Sequence, residues 1–251
     1  MPGMSRAAVP GREEPELLAA PGLVAAITVV TIALTAGVFA AVGDHGALAS
    51  IQRLDDAWLR LMISGRTTPL TAIAEVFNLL GLVYVTLPVR IAVAAFLIWR
   101  RRWWALAVFV TAIALSELLI GLLKGAYGRP RPPVSLVATT GTSFPSGHAI
   151  AASVTAVAAI IALAPAGRRG WWAAAAVAFS ILMGLSRAYL GAHWLSDAVA
   201  GILLGTSCAL LATLVVGELQ RRYVSRPPPA VTQPPVDAVA PDRAERRRGP
   251  A

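Results

Sequence analysis

Six apolar stretches, at residues 23–42, 79–99, 103–123, 149–164, 171–185 and 198–216, are the strongest constraint on this chain. Each is close to the roughly 20 residues that a helix needs to cross a bilayer. In hydrocarbon, backbone N–H and C=O groups must be satisfied within the segment, which leaves helices for stretches of this kind. The composition agrees, with 57% hydrophobic and only 14% charged residues, against about a quarter charged in a soluble domain. The sequence therefore predicts an all-α fold, a polytopic membrane bundle of six transmembrane helices with both termini cytoplasmic. The fourth and fifth stretches are short, so their helices are expected to run on into the polar motifs beside them. The first is longer than a signal-peptide core and follows Glu13, Glu14 and Glu16, which favours an uncleaved anchor. No repeat of fixed period is visible, which weakens a transporter built from duplicated halves.

A net charge of +9 could suggest nucleic acid. Most of the arginines, however, stand in short runs beside apolar stretches, the pattern of topogenic charge rather than of a basic groove. Nucleic acid is excluded as a partner on that ground. An inside N-terminus puts Arg6 and Arg12, Arg100 to Arg102, Arg168 and Arg169, and Arg221 and Arg222 on one side, as the positive-inside rule asks. The expected organisation is a cytoplasmic tail over 1–20, a membrane domain over 21–222 and a disordered cytoplasmic tail over 223–251, rich in Pro and Arg. Residues 44–78, 124–148 and 186–197 fall on the extracytoplasmic side. The first of these holds Asp44, Asp55, Asp56, Trp58, Arg60 and Pro69 and suits a short amphipathic helix in the interface. The lone Cys208 is read as a small core residue.

Three polar clusters interrupt the apolar chain: KGAYGRPRP from Lys124, PSGH from Pro145 and SRAYLGAHWLSD from Ser186. Lys124 and Arg131 put cations on the side that topogenic bias leaves poor in them. Arginine offers a planar fork and lysine a point charge to phosphate. At the start of the fourth stretch, Ser146 and Gly147 open a helix whose free N–H groups form an anion site, with His148 in the first turn. Arg187 ends the fifth stretch. His193 and Asp197, spaced i, i+4, share a helical face, where a carboxylate fixes one imidazole nitrogen and frees the other to attack. His148, His193 and Asp197 could alternatively supply three metal ligands. The cations Lys124, Arg131 and Arg187 around them disfavour a metal and suit an oxyanion.

Lys-x6-Arg-Pro, Pro-Ser-Gly-His and Ser-Arg-x5-His-x3-Asp, in this order, resemble the three-part signature of the type 2 phosphatidic acid phosphatase superfamily. That superfamily includes membrane lipid phosphate phosphatases and the soluble vanadium haloperoxidases. The resemblance implies His193 as nucleophile through a phosphohistidine and Asp197 as the group orienting it. It implies His148 as the proton donor to the leaving group and then the base for water. Lys124, Arg131, Ser146, the Gly147 N–H and Arg187 would hold the phosphoryl oxygens. No metal and no other cofactor is implied. The partners expected are a membrane lipid phosphate substrate and the bilayer itself. Polyprenyl diphosphate and phosphatidic acid are both open as substrates.

Three further residues stand apart. Arg129 lies outside the signature and reads either as a headgroup contact or, by slight preference, as a solvated loop cation. Arg90 and Glu117 fall inside predicted spans at similar depth and are expected to pair, since intramembrane charges are costly alone. Such charges could instead serve transport, so a transporter stays as an alternative class, beside a vanadate-dependent haloperoxidase.

Overall fold

The structure is a computed structural model that describes residues 21–225. The expected N-terminal tail, and the C-terminal tail from residue 226 onward, lie outside the described residues. Within them the chain is helical: α1 (Pro21–Gly43), α2 (His45–Ser64), α3 (Thr68–Leu80), α4 (Val83–Trp99), α5 (Trp103–Tyr127), α6 (Gly147–Leu163), a 3₁₀ turn (Ala166–Arg168), α7 (Arg169–Tyr189) and α8 (Leu195–Val224). Four of these, α1, α5, α7 and α8, are each long and apolar enough to cross a membrane, and α3 with α4 forms a fifth candidate bent by 54°. The protein is thus an all-α, multi-pass membrane protein with four or five candidate spans. The apolar α6, at 17 residues, is shorter. Large side chains such as Val29, Leu118, Leu122 and Trp171 face outward, an arrangement suited to lipid and costly in water.

Two stretches differ from the sequence-based expectation. Residues 44–78 hold two helices rather than one short one. Asp44 caps α2 by accepting the Ala47 N–H at 2.8 Å; Thr67 caps α3, with Pro at its start, so each cap fixes where a helix begins. The second expected span is correspondingly the bent pair, broken at Gly81 and Leu82. The fifth stretch does extend into its motif, since α7 carries Ser186 and Arg187 in its last turn, and α6 opens within PSGH.

Gly201 and Gly205 place the site. A Cβ at Gly201 would meet the Ser146 carbonyl at 2.7 Å, and one at Gly205 would meet the Ile150 carbonyl at 2.6 Å. This small-xxx-small face lets α8 lie against the first turns of α6, as close helix pairs in membranes require. The Ser146 N–H then donates to the Asp197 carbonyl at 3.1 Å, so α6 and α8 start side by side. The last turns of α5 and α7 reach the same end. At the opposite end Trp104 and Tyr223 pack at 5.9 Å, beside the arginines at 100–102, 221 and 222.

Candidate active site

The loop between α5 and α6 brings the first cluster over the start of α8. Gly128 ends α5 in the left-handed region, φ 55°, a conformation that favours glycine. Ser143 N–H then donates to the Arg129 carbonyl at 2.8 Å, and Leu136 N–H to the Leu190 carbonyl at 2.8 Å. Arg131 is held by four carbonyls: Nη1 donates to Ala192 at 2.7 Å, Nε to Gly141 at 3.0 Å, and Nη2 to Thr140 at 2.8 Å and Thr142 at 3.1 Å. Lys124 Nζ reaches the same Thr142 carbonyl at 3.1 Å. Loop backbone thus fixes two cations of the first cluster beside the third.

His193 is almost wholly buried, 3% exposed. Its Nε2 lies 3.2 Å from Arg131 Nη1. A guanidinium has only N–H donors, so this contact uses the Nε2 lone pair and puts the imidazole proton on Nδ1. Nδ1 faces Asp197 Oδ2 at 3.7 Å, beyond hydrogen-bond distance, and has no other partner. Burial, reinforced by the charges of Arg187 and Arg131, holds His193 down to about 4 against the opposing pull of Asp197. The ring is therefore neutral near pH 7, with a lone pair available. Burial likewise lowers Arg131, while Asp197 pulls it back.

Near this imidazole lie buried polar atoms without a partner. Ser146 Oγ, His148 Nε2 and Arg187 Nε are buried without hydrogen-bond partners. Arginine Nε atoms without a partner recur elsewhere among the described residues, so Ser146 Oγ and His148 Nε2, both at the start of α6, are the groups whose unmet polarity calls for a ligand. His148 lies within electrostatic range of Arg187, His193 and Arg131; Asp197 is within range of Lys124. Ser146 precedes the first turn of α6 without using its side chain as a cap, and space is open beside Gly147. All eight sequence-predicted site residues, His148, His193, Asp197, Lys124, Arg131, Ser146, Gly147 and Arg187, therefore gather at one end of the bundle. Among the described residues no three His, Cys, Asp or Glu side chains are grouped to hold a metal ion. Asp197 is taken up instead by donors: Arg129, Trp194 N–H and Ser143 Oγ.

Arg129 corrects the expectation of a solvated cation. It is 5% exposed and bridges two carboxylates, with Nη1 at 2.7 Å from Asp197 Oδ1 and Nη2 at 2.7 Å from Asp55 Oδ2. Its Nη1 also donates to Ser196 Oγ, and its Nη2 to Gln52 Oε1, each at 2.7 Å. The guanidinium lies over the Trp194 ring at 5.5 Å, a cation–π placement. Asp55 closes the network by accepting Ser196 N–H at 2.9 Å and Ser196 Oγ at 2.6 Å. Neither Asp55 nor Gln52 was singled out from the sequence as part of the site, although a signal existed. In α2 the inward stripe runs Leu48, Ile51, Asp55, Leu59 and Met62, so an aspartate occupies an apolar register. Asn78 was missed too: its side-chain oxygen accepts from Arg187 Nη1, and the Gly81 backbone behind it lies against the His148 ring.

The chain is similar to known proteins. The PAP2 superfamily model matches residues 105–221. The chain is 35% identical over 123 residues to the lipid A 1-phosphatase of Rhizobium etli, covering 45% of this chain and 50% of that protein. It is 30% identical over 176 residues to phosphatidylglycerophosphatase B of Bacillus subtilis, covering 67% of this chain and 84% of that one. The chain thus spans about half the length of the Rhizobium protein and most of the Bacillus one. In three dimensions it is similar to the crystal structure of a transmembrane PAP2-type phosphatidylglycerolphosphate phosphatase from Bacillus subtilis. The TM-score is 0.65 at 24% identity, over 78% of this chain and 96% of the other. That last likeness speaks for the fold.

Proposed function

The chain belongs to the PAP2 superfamily, and from that premise we propose that it is an integral membrane phosphatase removing phosphate from lipid phosphate or diphosphate monoesters. The observation that carries the proposal is the set of buried polar groups without partners, Ser146 Oγ, His148 Nε2 and Arg187 Nε, close to a neutral imidazole whose Nε2 lone pair is engaged only by Arg131. Substrates named for its relatives, a lipid A phosphate and a phosphatidylglycerophosphate, share the chemistry of a phosphate ester on a lipid anchor. Polyprenyl diphosphate and phosphatidic acid present the same group.

In the proposed reaction His193 Nε2 attacks phosphorus and the bond from phosphorus to the leaving oxygen breaks. His148 gives that oxygen its proton, and the dephosphorylated lipid departs. His148 then takes a proton from water, whose oxygen attacks the phosphohistidine; the phosphorus–nitrogen bond breaks and inorganic phosphate leaves. Lys124, Arg187, Ser146 Oγ and the Gly147 N–H stabilise the charge on the phosphoryl oxygens, the main demand of phosphoryl transfer. Arg131, whose N–H groups are engaged by loop carbonyls and His193, releases Nε2 for the attack and turns that donor to the phosphoryl group. The His148 charge needed for the first step is supplied by binding: an anionic phosphate among these cations favours the imidazolium.

We place the site on the extracytoplasmic face of the cytoplasmic membrane. The support is the arginine bias, since the arginines at 100–102, 168, 169, 221 and 222 lie at the helix ends remote from the site. Six crossings then result if the bent α3–α4 pair counts as one and α6 as another, with both termini inside. The substrate's chains stay in the bilayer while its phosphate meets the helix ends.

The test is phosphate release by the purified full chain in detergent, with chelator present. The substrates are polyprenyl diphosphate, phosphatidic acid, lysophosphatidic acid and phosphatidylglycerophosphate. Release from at least one lipid is expected to survive the chelator. It should fall by several orders of magnitude in His193→Ala. Release that persists in His193→Ala removes the phosphohistidine route, and no release from any lipid removes the phosphatase.

A further inference from the structure

We propose that Asp55 and Arg129 are positioning residues of this site, an arm through which α2 holds Asp197 in place against His193. The proposal rests on the phosphatase reading for its kinetic consequences and on the hydrogen-bond geometry alone for its existence. Arg129 spends its fork on protein: Nη1 on Asp197 Oδ1 and Ser196 Oγ, Nη2 on Asp55 Oδ2 and Gln52 Oε1. None of these four donations points to a substrate. What they do is divide the Asp197 carboxylate. Oδ1 is committed to Arg129; Oδ2, which accepts Trp194 N–H at 2.9 Å and Ser143 Oγ, is the oxygen turned toward His193 Nδ1. Rotation of the carboxylate would break all of these bonds together, so the oxygen facing the imidazole is fixed by a group two bonds further out.

Asp55 makes this arrangement electrically tolerable. A buried arginine facing Asp197 alone would absorb most of the negative charge that Asp197 offers the imidazole. With Asp55 on its other side, at 2.7 Å, the guanidinium is shared, and the trio of two carboxylates and one guanidinium carries a net negative charge beside His193. The titratable groups facing this trio and the imidazole are the cations Lys124 of α5, Arg131 of the loop and Arg187 of α7, together with the His148 imidazole of α6. Against so many cations, the second carboxylate restores part of the field that a histidine nucleophile needs as it becomes cationic in the attack. Asp55 also grips the first turn of α8 through Ser196 N–H and Oγ, so the arm fixes the helix that carries Asp197 as well as its side chain.

The test is Asp55→Asn, close in shape and able to keep hydrogen bonds while losing the charge. Its control is Asp44→Asn, which removes the same charge from the same helix and preserves its cap. Two readouts are taken on the full chain in detergent micelles: the His193 imidazole titration by nitrogen NMR, and steady-state phosphate release. In Asp55→Asn, Arg129 leans wholly on Asp197, so His193 should titrate at a lower pH than in the parent. The turnover number kcat should fall by about tenfold to a hundredfold with KM little changed, as expected when a reacting group is misplaced while substrate binding stays intact. Asp55→Glu should recover part of the loss, and Asp44→Asn should match the parent. An unchanged His193 titration in a folded Asp55→Asn protein overturns the proposal. So does a rise in KM at constant kcat, which would make Arg129 a headgroup contact. Should the parent release no phosphate from any lipid, the phosphatase reading fails on its own, and the NMR titration still decides the arm.

Discussion

Two arginines in this protein meet carboxylates in opposite ways. Arg90 of α4 pairs with Glu117 of α5 at 2.7 Å and also donates to Thr155 Oγ1 at 3.0 Å, but the Glu117 side chain is 52% exposed. Arg129 is held between Asp55 and Asp197, side chains that are 2% and 0% exposed. The first pair joins neighbouring helices at the periphery, where either partner can relax if the other is removed. The second sits where nothing can relax, and one cation there balances two anions. The outer pair is only partly enclosed by protein and its side chains can reorient, which limits the cost of losing one partner, whereas removing half of the enclosed network strands a charge. The two arginines should therefore respond very differently to the same kind of substitution.

The largest contrast is expected from Arg129→Ala, which leaves Asp55 and Asp197 buried together without a counter-ion. A loss of about 3–5 kcal/mol is the scale for breaking such a network, and thermal melting of the protein in detergent should show it. A melting temperature close to the parent's would mean that the two carboxylates find other partners, and the contrast with Arg90 would collapse.

Packing without charge gives the next effect. Gly205→Leu puts a side chain against the Ile150 carbonyl, where a Cβ alone would stand at 2.6 Å. Overpacking costs about 1–3 kcal/mol and should prise the start of α8 from α6. Activity should fall more than stability, since His148 rides on α6 and Asp197, which faces His193, rides on α8. Equal losses in Gly205→Leu and in an outward-facing control such as Leu118→Ala would show that the site does not depend on this packing.

The pH profile sharpens the comparison further. His193 is held at about 4 by burial and by Arg187 and Arg131, below the ~6.5 of a free histidine. Between about pH 6.5 and 4 the unfolded chain binds a proton at this residue that the native state refuses. Its contribution to stability is thus complete above about 6.5 and is lost as the pH falls toward 4. In the free enzyme, the acid limb of kcat/KM that belongs to His193 should lie near pH 4. A limb at the ordinary histidine value would mean that His193 is better solvated, or more strongly supported by Asp197, than the geometry indicates.

How much of this was legible beforehand follows from the range of each interaction. Helices α1, α5, α7 and α8 could be read because an apolar run of about 20 residues carries its own reason to be a helix. That the eight motif residues draw together could be read because their motifs place charges and histidines where topogenic bias and burial would not leave them idle. The Arg90–Glu117 pair was legible by depth alone. Arg129 was not, because its burial depends on α2 folding across the helix ends, and nothing within the RPRP loop itself announces a partner 74 residues away. Asp55 looked like one acid among several in a polar segment. Only the helical register of α2, with Asp55 on the stripe of Leu48, Ile51 and Met62, distinguishes it from Asp56 beside it. The break at Gly81 was hidden for a similar reason: an apolar composition continuous from Leu79 onward says nothing of a 54° bend, which owes its place to packing against His148 and α7.

The smallest expected effect comes from the outer pair and sets the floor of the comparison. Arg90→Leu leaves Glu117 without its ion-pair partner, yet Glu117 is half exposed and its side chain can reorient. Interhelical polar contacts of this kind in membranes are worth about 0.6 kcal/mol on average, and up to about 1.7. A small drop in melting temperature is therefore expected, with the acid limb of kcat/KM unmoved, because neither residue contacts the His193 network. Glu117→Gln should cost somewhat more than Arg90→Leu, since it leaves the more enclosed Arg90 cation with the neutral Thr155 and glutamine oxygens as its partners. Should Arg90→Leu instead shift the acid limb or abolish release while the protein stays folded, the pair would be coupled to the site along α5 to Lys124. The division between a structural and a positioning arginine would then have to be redrawn. An unchanged melting temperature in both variants would leave the outer pair as a contact of geometry without energetic weight.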